Sequence, residues 1–380
     1  MEKRKMENLG IATSLLGFGC MRFPTMADGK IDEAKAERML DRAIDEGVNY
    51  IDTAYPYHDG QSEVVVGKIL KKYERSSFYL ATKLPVWLVN TVEDVDRLFE
   101  EQLGKLQVEY IDFYLLHAMD RERWEKMKEI GCVERLEKLK AEGKIKYLGF
   151  SFHDSYEVFE EMLCSRDWDF CQIQLNYMDA EEQAGLRGYR LAEDRKIPLI
   201  IMEPVKGGSL AAFSDDIMEQ FHQLDPEASA ASYALRWVGS KPGVKVILSG
   251  MSTMEQVEDN LKTFRSFKPL SKEEEKAIGK VIETIRSRVQ NGCTGCRYCM
   301  PCPAGVDIPG CFSVWNTYHM YQNYYAVDWK WEQEMGAEHQ AKNCIQCGKC
   351  EKSCPQKLQI RRDLKKVQED LDKKEMVFER

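Results

Sequence analysis

The amino-acid sequence predicts an α/β chain: a (β/α)8 TIM barrel followed by a smaller, mainly helical domain. Two observations carry this. Eight apolar, strand-like runs alternate with helical patterns between residues 14 and 263, at roughly thirty residues per unit, the spacing of βα repeats. Beyond residue 291 the composition shifts to Cys, Gly, Pro and aromatics. A length of 380 residues suits one large and one small domain.

The strand-like runs cover 14–23, 48–54, 78–84, 111–118, 145–152, 170–177, 198–205 and 243–251. Each is nearly continuous in apolar character, as parallel strands covered on both faces should be. Helical patterns follow them at 32–46, 62–73, 92–106, 133–142, 156–164, 183–195, 227–238 and 254–263. Eight such units point to a closed barrel. An open doubly wound sheet is the alternative, but Gly17-Phe18-Gly19-Cys20 lies inside the first run and no Gly-x-Gly-x-x-Gly follows it. A boundary falls near Lys268-Pro269-Leu270, giving a barrel domain over 1–270 and a second domain over 271–380. The second domain opens on a capping box, Ser271 with Glu274, and a polar helix.

The net charge of −9 argues against nucleic acid, which needs a basic surface. No apolar run reaches the length of a membrane span, and the first nine residues lack the apolar core of a signal peptide. A cytoplasmic location is expected. Thirteen cysteines in that compartment point to metal rather than to disulfides.

Barrel chemistry sits at the carboxyl ends of the strands. Asp52, Lys83 and His117 end the second, third and fourth runs, and Tyr57 lies on the loop after Asp52. A free tyrosine, with a pKa of about 10, is a poor acid at neutral pH, and a nearby ammonium is expected to lower that value. Asp52 would hold Lys83, and His117 would hydrogen-bond a carbonyl oxygen as charge develops on it. His153 has no motif behind it and reads as a surface or structural histidine, and Tyr55 as packing in the site wall.

Gly17-Phe18-Gly19, Asp52-Thr53-Ala54-Tyr55-x-Tyr57, Thr82-Lys83, Leu116-His117, Gly149-Phe150-Ser151 and Asn260-Leu261 together resemble the aldo/keto reductases, over about residues 10 to 265. The resemblance implies nicotinamide-dependent carbonyl reduction, with Tyr57 as acid, Lys83 and Asp52 as its tuners and His117 orienting the carbonyl. It further implies Ser151 and Gln172 at the nicotinamide carboxamide. Glu203, Pro204, Gly207, Gly208 and Leu210, in the loop 203–210, would follow the pyrophosphate, and Asn260 belongs to the same cofactor set. Three positions depart from the family pattern. Gly250 and Gln256 stand where basic residues usually meet a 2′-phosphate, so NADP selection is not expected. Met202 replaces the usual aromatic under the nicotinamide, which leaves room for a flavin.

Eight cysteines fall in two runs, Cys293-x2-Cys296-x2-Cys299-x2-Cys302-Pro303 and Cys344-x2-Cys347-x2-Cys350-x3-Cys354-Pro355. The second is the bacterial ferredoxin run, and the first is one residue short. Sets of four cysteines also suit zinc, but zinc uses paired knuckles rather than a triple run ending in Cys-Pro. By resemblance to two-cluster ferredoxins, Cys293, Cys296, Cys299 and Cys354 would hold one [4Fe–4S] cluster, and Cys344, Cys347, Cys350 and Cys302 the other. Cys311 could substitute because the first run is short; otherwise it reads as a buried thiol, like Cys20, Cys132, Cys164 and Cys171. The intervening stretch is rich in aromatics: Phe312, Trp315, Tyr318, Tyr321, Tyr324, Tyr325, Trp329 and Trp331. It reads as helical packing around the clusters, as in α-helical ferredoxins. The mixed-sign run 361–366 reads as a solvated helix face.

The expected function is oxidoreduction of a small carbonyl or alcohol-type substrate, coupled through the clusters to a redox partner protein. Hydride chemistry moves two electrons and each cluster one, so a flavin on the chain or its partner would bridge them. The alternatives are a flavin-dependent reductase fed by ferredoxin-type electrons and a non-catalytic electron-transfer or structural subunit.

Overall fold

The computed structural model describes residues 1–374, the side chain of Tyr325 excepted. It divides into two compact units, 1–205 with 234–270, and 206–233 with the residues from Ser271 onward.

The first unit opens on an antiparallel hairpin, β1 (Lys3–Met6) with β2 (Ile11–Ser14). Eight parallel strands then close into a barrel: β3 (Leu16–Gly19), β4 (Tyr50–Asp52), β5 (Tyr79–Leu84), β6 (Ile111–Met119), β7 (Ile145–Phe152), β8 (Phe170–Gln174), β9 (Leu199–Met202) and β10 (Val244–Gly250). Closure is made by β10, which pairs in parallel with both β3 and β9. The closed parallel barrel is the predicted one.

The predicted first strand, 14–23, is divided. Ser14 and Asn49 exchange hydrogen bonds, Ser14 N to Asn49 Oδ1 at 2.6 Å and Asn49 N to Ser14 Oγ at 3.0 Å. The chain turns there from hairpin into barrel, and after Gly19 it enters a 3-10 turn, Cys20–Arg22. Met6, Tyr50, Phe113, Phe170, Ile200 and Val246 fill the barrel interior. The larger core lies between strands and helices, with Leu40, Phe99, Leu136, Phe159 and Leu261 fully buried in it.

One barrel helix, Arg121–Ile130, was not expected. Its sequence buries only Trp124 and Met127, too weak a stripe to show helical periodicity. Its ends are well specified. Asp120 caps the start by accepting from Arg123 N at 2.8 Å, and Gly131 takes a left-handed φ of 73° at the end.

In the second unit, the predicted capping box is formed: Ser271 N donates to Glu274 Oε2 at 2.7 Å and Glu274 N to Ser271 Oγ at 3.2 Å. Helices Lys272–Ser287, Ile308–Tyr321 and Ile360–Lys373 are its main elements. A further helix, Asp215–His222, leaves the chain between β9 and β10 and packs with this unit, Arg288 bridging to Asp216 at 2.7 Å. The core is the aromatic stripe: Phe312, Trp315, Tyr318 and Tyr324 with Trp331, Leu364 and Val367. Tyr321 is buried too. Trp329 departs from that expectation and is 70% exposed, and the Tyr325 side chain lies outside the described residues. The 361–366 run is not wholly solvated either. Asp363 is buried and accepts from Asn291 Nδ2 at 2.8 Å, and Leu364 is core.

Candidate active site and thiolate sites

The barrel places four polar side chains together at the carboxyl ends of adjacent strands. Asp52 closes β4, Lys83 is the penultimate residue of β5, His117 lies near the end of β6, and Tyr57 follows β4. Lys83 is almost fully buried. Its Nζ donates to Asp52 Oδ1 at 2.7 Å and Thr53 O at 2.8 Å, and lies 3.5 Å from the Tyr57 hydroxyl. The Tyr57 and His117 rings stand edge to face, centroids 6.2 Å apart.

A second layer fixes the backbone of β5. Gln102 Nε2 donates to Lys83 O at 3.0 Å and to Glu63 Oε1 at 2.6 Å, and Thr82 Oγ1 donates to the same Glu63 oxygen at 2.6 Å. Glu63 and Gln102 are fully buried, so these contacts lock the strand that carries Lys83.

The electrostatics correct one expectation. Burial pushes the Tyr57 phenol above its usual pKa, and the pull of Lys83 in the other direction does not prevail. Tyr57 is therefore a neutral phenol with a proton to give. Burial also works against the Lys83 ammonium, but Asp52 and Tyr57 outweigh it and the net shift is upward. Burial, and then Lys83, hold the His117 imidazole well below its ordinary value, so it is neutral at neutral pH. Among the described residues His117 Nδ1, which is buried, finds no hydrogen-bond partner, and neither does Asp52 Oδ2.

Of the cofactor candidates, Ser151 and Gln172 sit side by side on β7 and β8. Ser151 Oγ accepts from Ala118 N at 2.7 Å. Gln172 Nε2 contacts Met202 Sδ at 3.4 Å, while its buried Oε1 has no partner among the described residues. Asn260 Nδ2 donates to Ser249 Oγ at 2.8 Å. Gln256 turns back on Ser252 N, at 2.8 Å, and Gly250 ends β10 beside it. Glu203 and Pro204 follow β9 directly. Gly207 and Gly208, at φ 63° and 101°, and the buried Leu210 lie in the second unit. Leu210 could offer a ligand only its backbone.

Some side chains at the site went unforeseen. Trp87, in the 3-10 turn Val86–Leu88 after β5, puts its ring 5.2 Å from that of His117. Arg22 lies over Gly250, where an added Cβ would stand 2.8 Å from Arg22 Cγ. Its only sequence signal was its place just after Gly19-Cys20. Tyr55 is not in the site wall. It leans on the helix Val92–Leu106, its hydroxyl 3.0 Å from Glu101 and its ring under Lys105. His153 is exposed.

In the second unit the cysteines surround two concavities. Cys293, Cys296, Cys299 and Cys354 line one, with Phe312 and Pro355. Cys302, Cys344, Cys347 and Cys350 line the other, which Cys299 also borders. Cys311 lines neither and is buried, its Sγ 3.9 Å from Met335 Sδ. Cys20, Cys132 and Cys171 are buried as expected; Cys164, at a helix end, is exposed.

Residues 15–283 match the model of the "Aldo/keto reductase family". The chain belongs to the aldo/keto reductase family. Residues 292–359 match a "4Fe-4S dicluster domain". It is similar to the uncharacterized oxidoreductase YqkF of Bacillus subtilis, 27% identical over 73% of this chain and 95% of that one. Among solved structures, the holo form of the aldo-keto reductase AKR11C1 from Bacillus halodurans superposes with a TM-score of 0.62 at 26% identity, covering 74% of this chain and 96% of that one. An aldo-keto reductase from Klebsiella pneumoniae in complex with NADPH gives 0.61 at 25% identity, over 74% and 96%. The chain is thus an aldo/keto-reductase-type oxidoreductase carrying an iron–sulfur, ferredoxin-type domain. Among the described residues no helix is long and apolar enough to cross a membrane.

Proposed function

We propose that the barrel reduces a small carbonyl compound with a nicotinamide cofactor, and that the second unit carries two [4Fe–4S] clusters exchanging electrons with a partner protein. The observation that carries the first half is the Tyr57–Lys83–Asp52 contact set facing His117. A bound nicotinamide supplies the hydride. The unpartnered, buried Gln172 Oε1 fits a carboxamide N–H, and Ser151 stands next to it. The Tyr57 hydroxyl and the neutral His117 ring, neighbours edge to face, are the groups that would hold the carbonyl oxygen. Tyr57 gives its proton to that oxygen, and Lys83, fixed by Asp52 and Thr53 O, stabilises the phenolate left behind. An anaerobic assay of nicotinamide oxidation against a panel of small aldehydes and ketones, with Tyr57→Phe as the comparison, tests this.

The raised Tyr57 pKa gives a pH prediction. The acid is lost only as pH rises through the folded-state pKa, which lies above the ordinary value of about 10. The rate of reduction should therefore show no alkaline limb assignable to Tyr57 below about pH 10. A limb centred between pH 7 and 9 that vanishes in Tyr57→Phe would show that Lys83 wins over burial.

Gly250 and Gln256 bring no charge to the expected 2′-phosphate position, and Arg22 is the cation seen beside Gly250. Titration with both cofactor forms should give dissociation constants within roughly tenfold of each other. A preference for NADP beyond about a hundredfold, removed by Arg22→Ala, would hand that selection to Arg22.

For the clusters, the supporting observation is that each concavity draws cysteines from both runs: Cys354 joins Cys293, Cys296 and Cys299 at one, and Cys302, with Cys299 at the border, joins Cys344, Cys347 and Cys350 at the other. Tyr298 and Ile345, within the cysteine runs, are 69% and 65% exposed, so the loops that carry the thiolates face solvent, where a partner can reach them. Anaerobic purification followed by iron, sulfide and flavin analysis tests the cluster count and shows whether a flavin bridges the one- and two-electron halves.

A further inference from the structure

We propose that Arg123 and Trp87 form an anion subsite beside the reacting centre, selecting carbonyl substrates that carry a carboxylate at the far end of a short chain. This rests on reading the barrel as a carbonyl reductase. Arg123 lies in the first turn of the helix that follows β6, and its Nη1 donates to the carbonyl of Ala118, the residue after His117. Its Cζ lies 5.9 Å from the Trp87 ring centroid, and that ring lies 5.2 Å from His117. Tyr57, His117, Trp87 and Arg123 thus follow one another along one wall.

The wall changes character along its length. Tyr57 and His117 meet the oxygen that gains a proton. Trp87 comes next and is 39% exposed, an aromatic face left partly uncovered beside His117. The Arg123 side chain is 38% exposed. Asp120 competes for it only in part: its Oδ1 is taken as the helix cap, at 2.8 Å from Arg123 N, and its Oδ2 stands 3.5 Å from Nε. Arg123 Nη2 has no partner among the described residues. A guanidinium with a free edge suits a planar carboxylate, and an aromatic face suits the methylenes leading to it. A neutral aldehyde would leave that cation unused.

The probes are 4-oxobutanoate and its methyl ester. The acid should be favoured in kcat/KM by on the order of ten- to a hundredfold, the worth of one charge-assisted contact. The ratio should fall as salt is raised, because the subsite is partly open. It should collapse toward one in Arg123→Ala and be kept only in part in Arg123→Lys, which keeps the charge but not the planar fork. Succinate, which cannot be reduced, should bind the wild type by calorimetry more tightly than Arg123→Ala. A wild-type ratio near one, or an acid preference unaltered by Arg123→Ala, overturns the subsite. If neither probe is reduced by protein that still binds succinate through Arg123, the carbonyl-reductase reading fails and the anion site stands. Arg123-independent succinate binding in the same protein removes both.

Discussion

Tyr57→Phe is expected to lower kcat for carbonyl reduction by on the order of 100- to 10,000-fold, the usual worth of a positioned acid. The substitution removes one oxygen from a site whose other members are anchored independently. Lys83 keeps its bonds to Asp52 Oδ1 and Thr53 O, so its position does not depend on the phenol. The long 3.5 Å contact to Tyr57 is the one lost. Nicotinamide binding, for which Ser151 and Gln172 are the candidates on β7 and β8, should change little. The effect should therefore fall on kcat with KM for cofactor nearly constant, the mark of an interaction made in the transition state. Retention of more than about a tenth of the rate would mean that the proton reaches the oxygen from another group or from water.

The positions of Asp52, Lys83 and His117 were legible because each breaks an apolar run near its end, and, with Tyr57, four polar residues at the carboxyl ends of neighbouring strands are more than one structural ion pair requires. What they do to one another was less legible. Proximity of Lys83 to Tyr57 suggested a lowered phenol pKa, but the outcome depends on how much water the fold removes, and burial dominates. Sequence spacing carries no measure of that. Trp87 and Arg123 escaped notice for a related reason. One sits in an exposed turn and the other in a helix with two buried residues, so neither belongs to a periodic pattern. Tyr55 shows the opposite failure. It sits inside a strong motif, yet the turn after β4 sends it outward to Glu101 and Lys105.

The cysteine runs were legible through spacing alone, since three thiols at three-residue intervals can wrap one corner of a cluster. The aromatic stripe between them was read from helical spacing, and the buried face of Ile308–Tyr321 follows it. Trp329 falls outside that helix, so the same aromatic chemistry carries no packing information there. The segment 206–233 falls within the expected barrel domain, 1–270, because it lies between two strands of the closed barrel. Only the three-dimensional contacts, such as Arg288 with Asp216, group it with the second unit.

Cys354→Ser is expected to abolish the cluster bound by Cys293, Cys296 and Cys299, although Cys354 belongs to the other run. Cys354 caps the short helix Lys349–Ser353 in extended conformation, φ −75° and ψ 117°, and Pro355 follows it. The chain thus leaves the concavity that Cys350 lines and enters the one shared with Cys293, Cys296 and Cys299. Cys302→Ser should do the reciprocal damage to the set of Cys344, Cys347 and Cys350. Cys296 and Cys347 supply the reference spectra, because each lines a single concavity. Paramagnetic resonance of reduced, anaerobically prepared Cys354→Ser should match Cys296→Ser, and that of Cys302→Ser should match Cys347→Ser, each with about half the iron and sulfide of the parent. Cys311→Ala should keep both signals, because its thiol is buried and lines neither concavity. If Cys354→Ser instead matches Cys347→Ser, each run holds its own cluster and the crossed arrangement is wrong. If Cys311 is required while Cys302 is dispensable, the short first run recruits its fourth ligand from the helix Ile308–Tyr321. Zinc in place of iron would remove the electron-transfer role of the second unit and leave the chemistry of the barrel untouched.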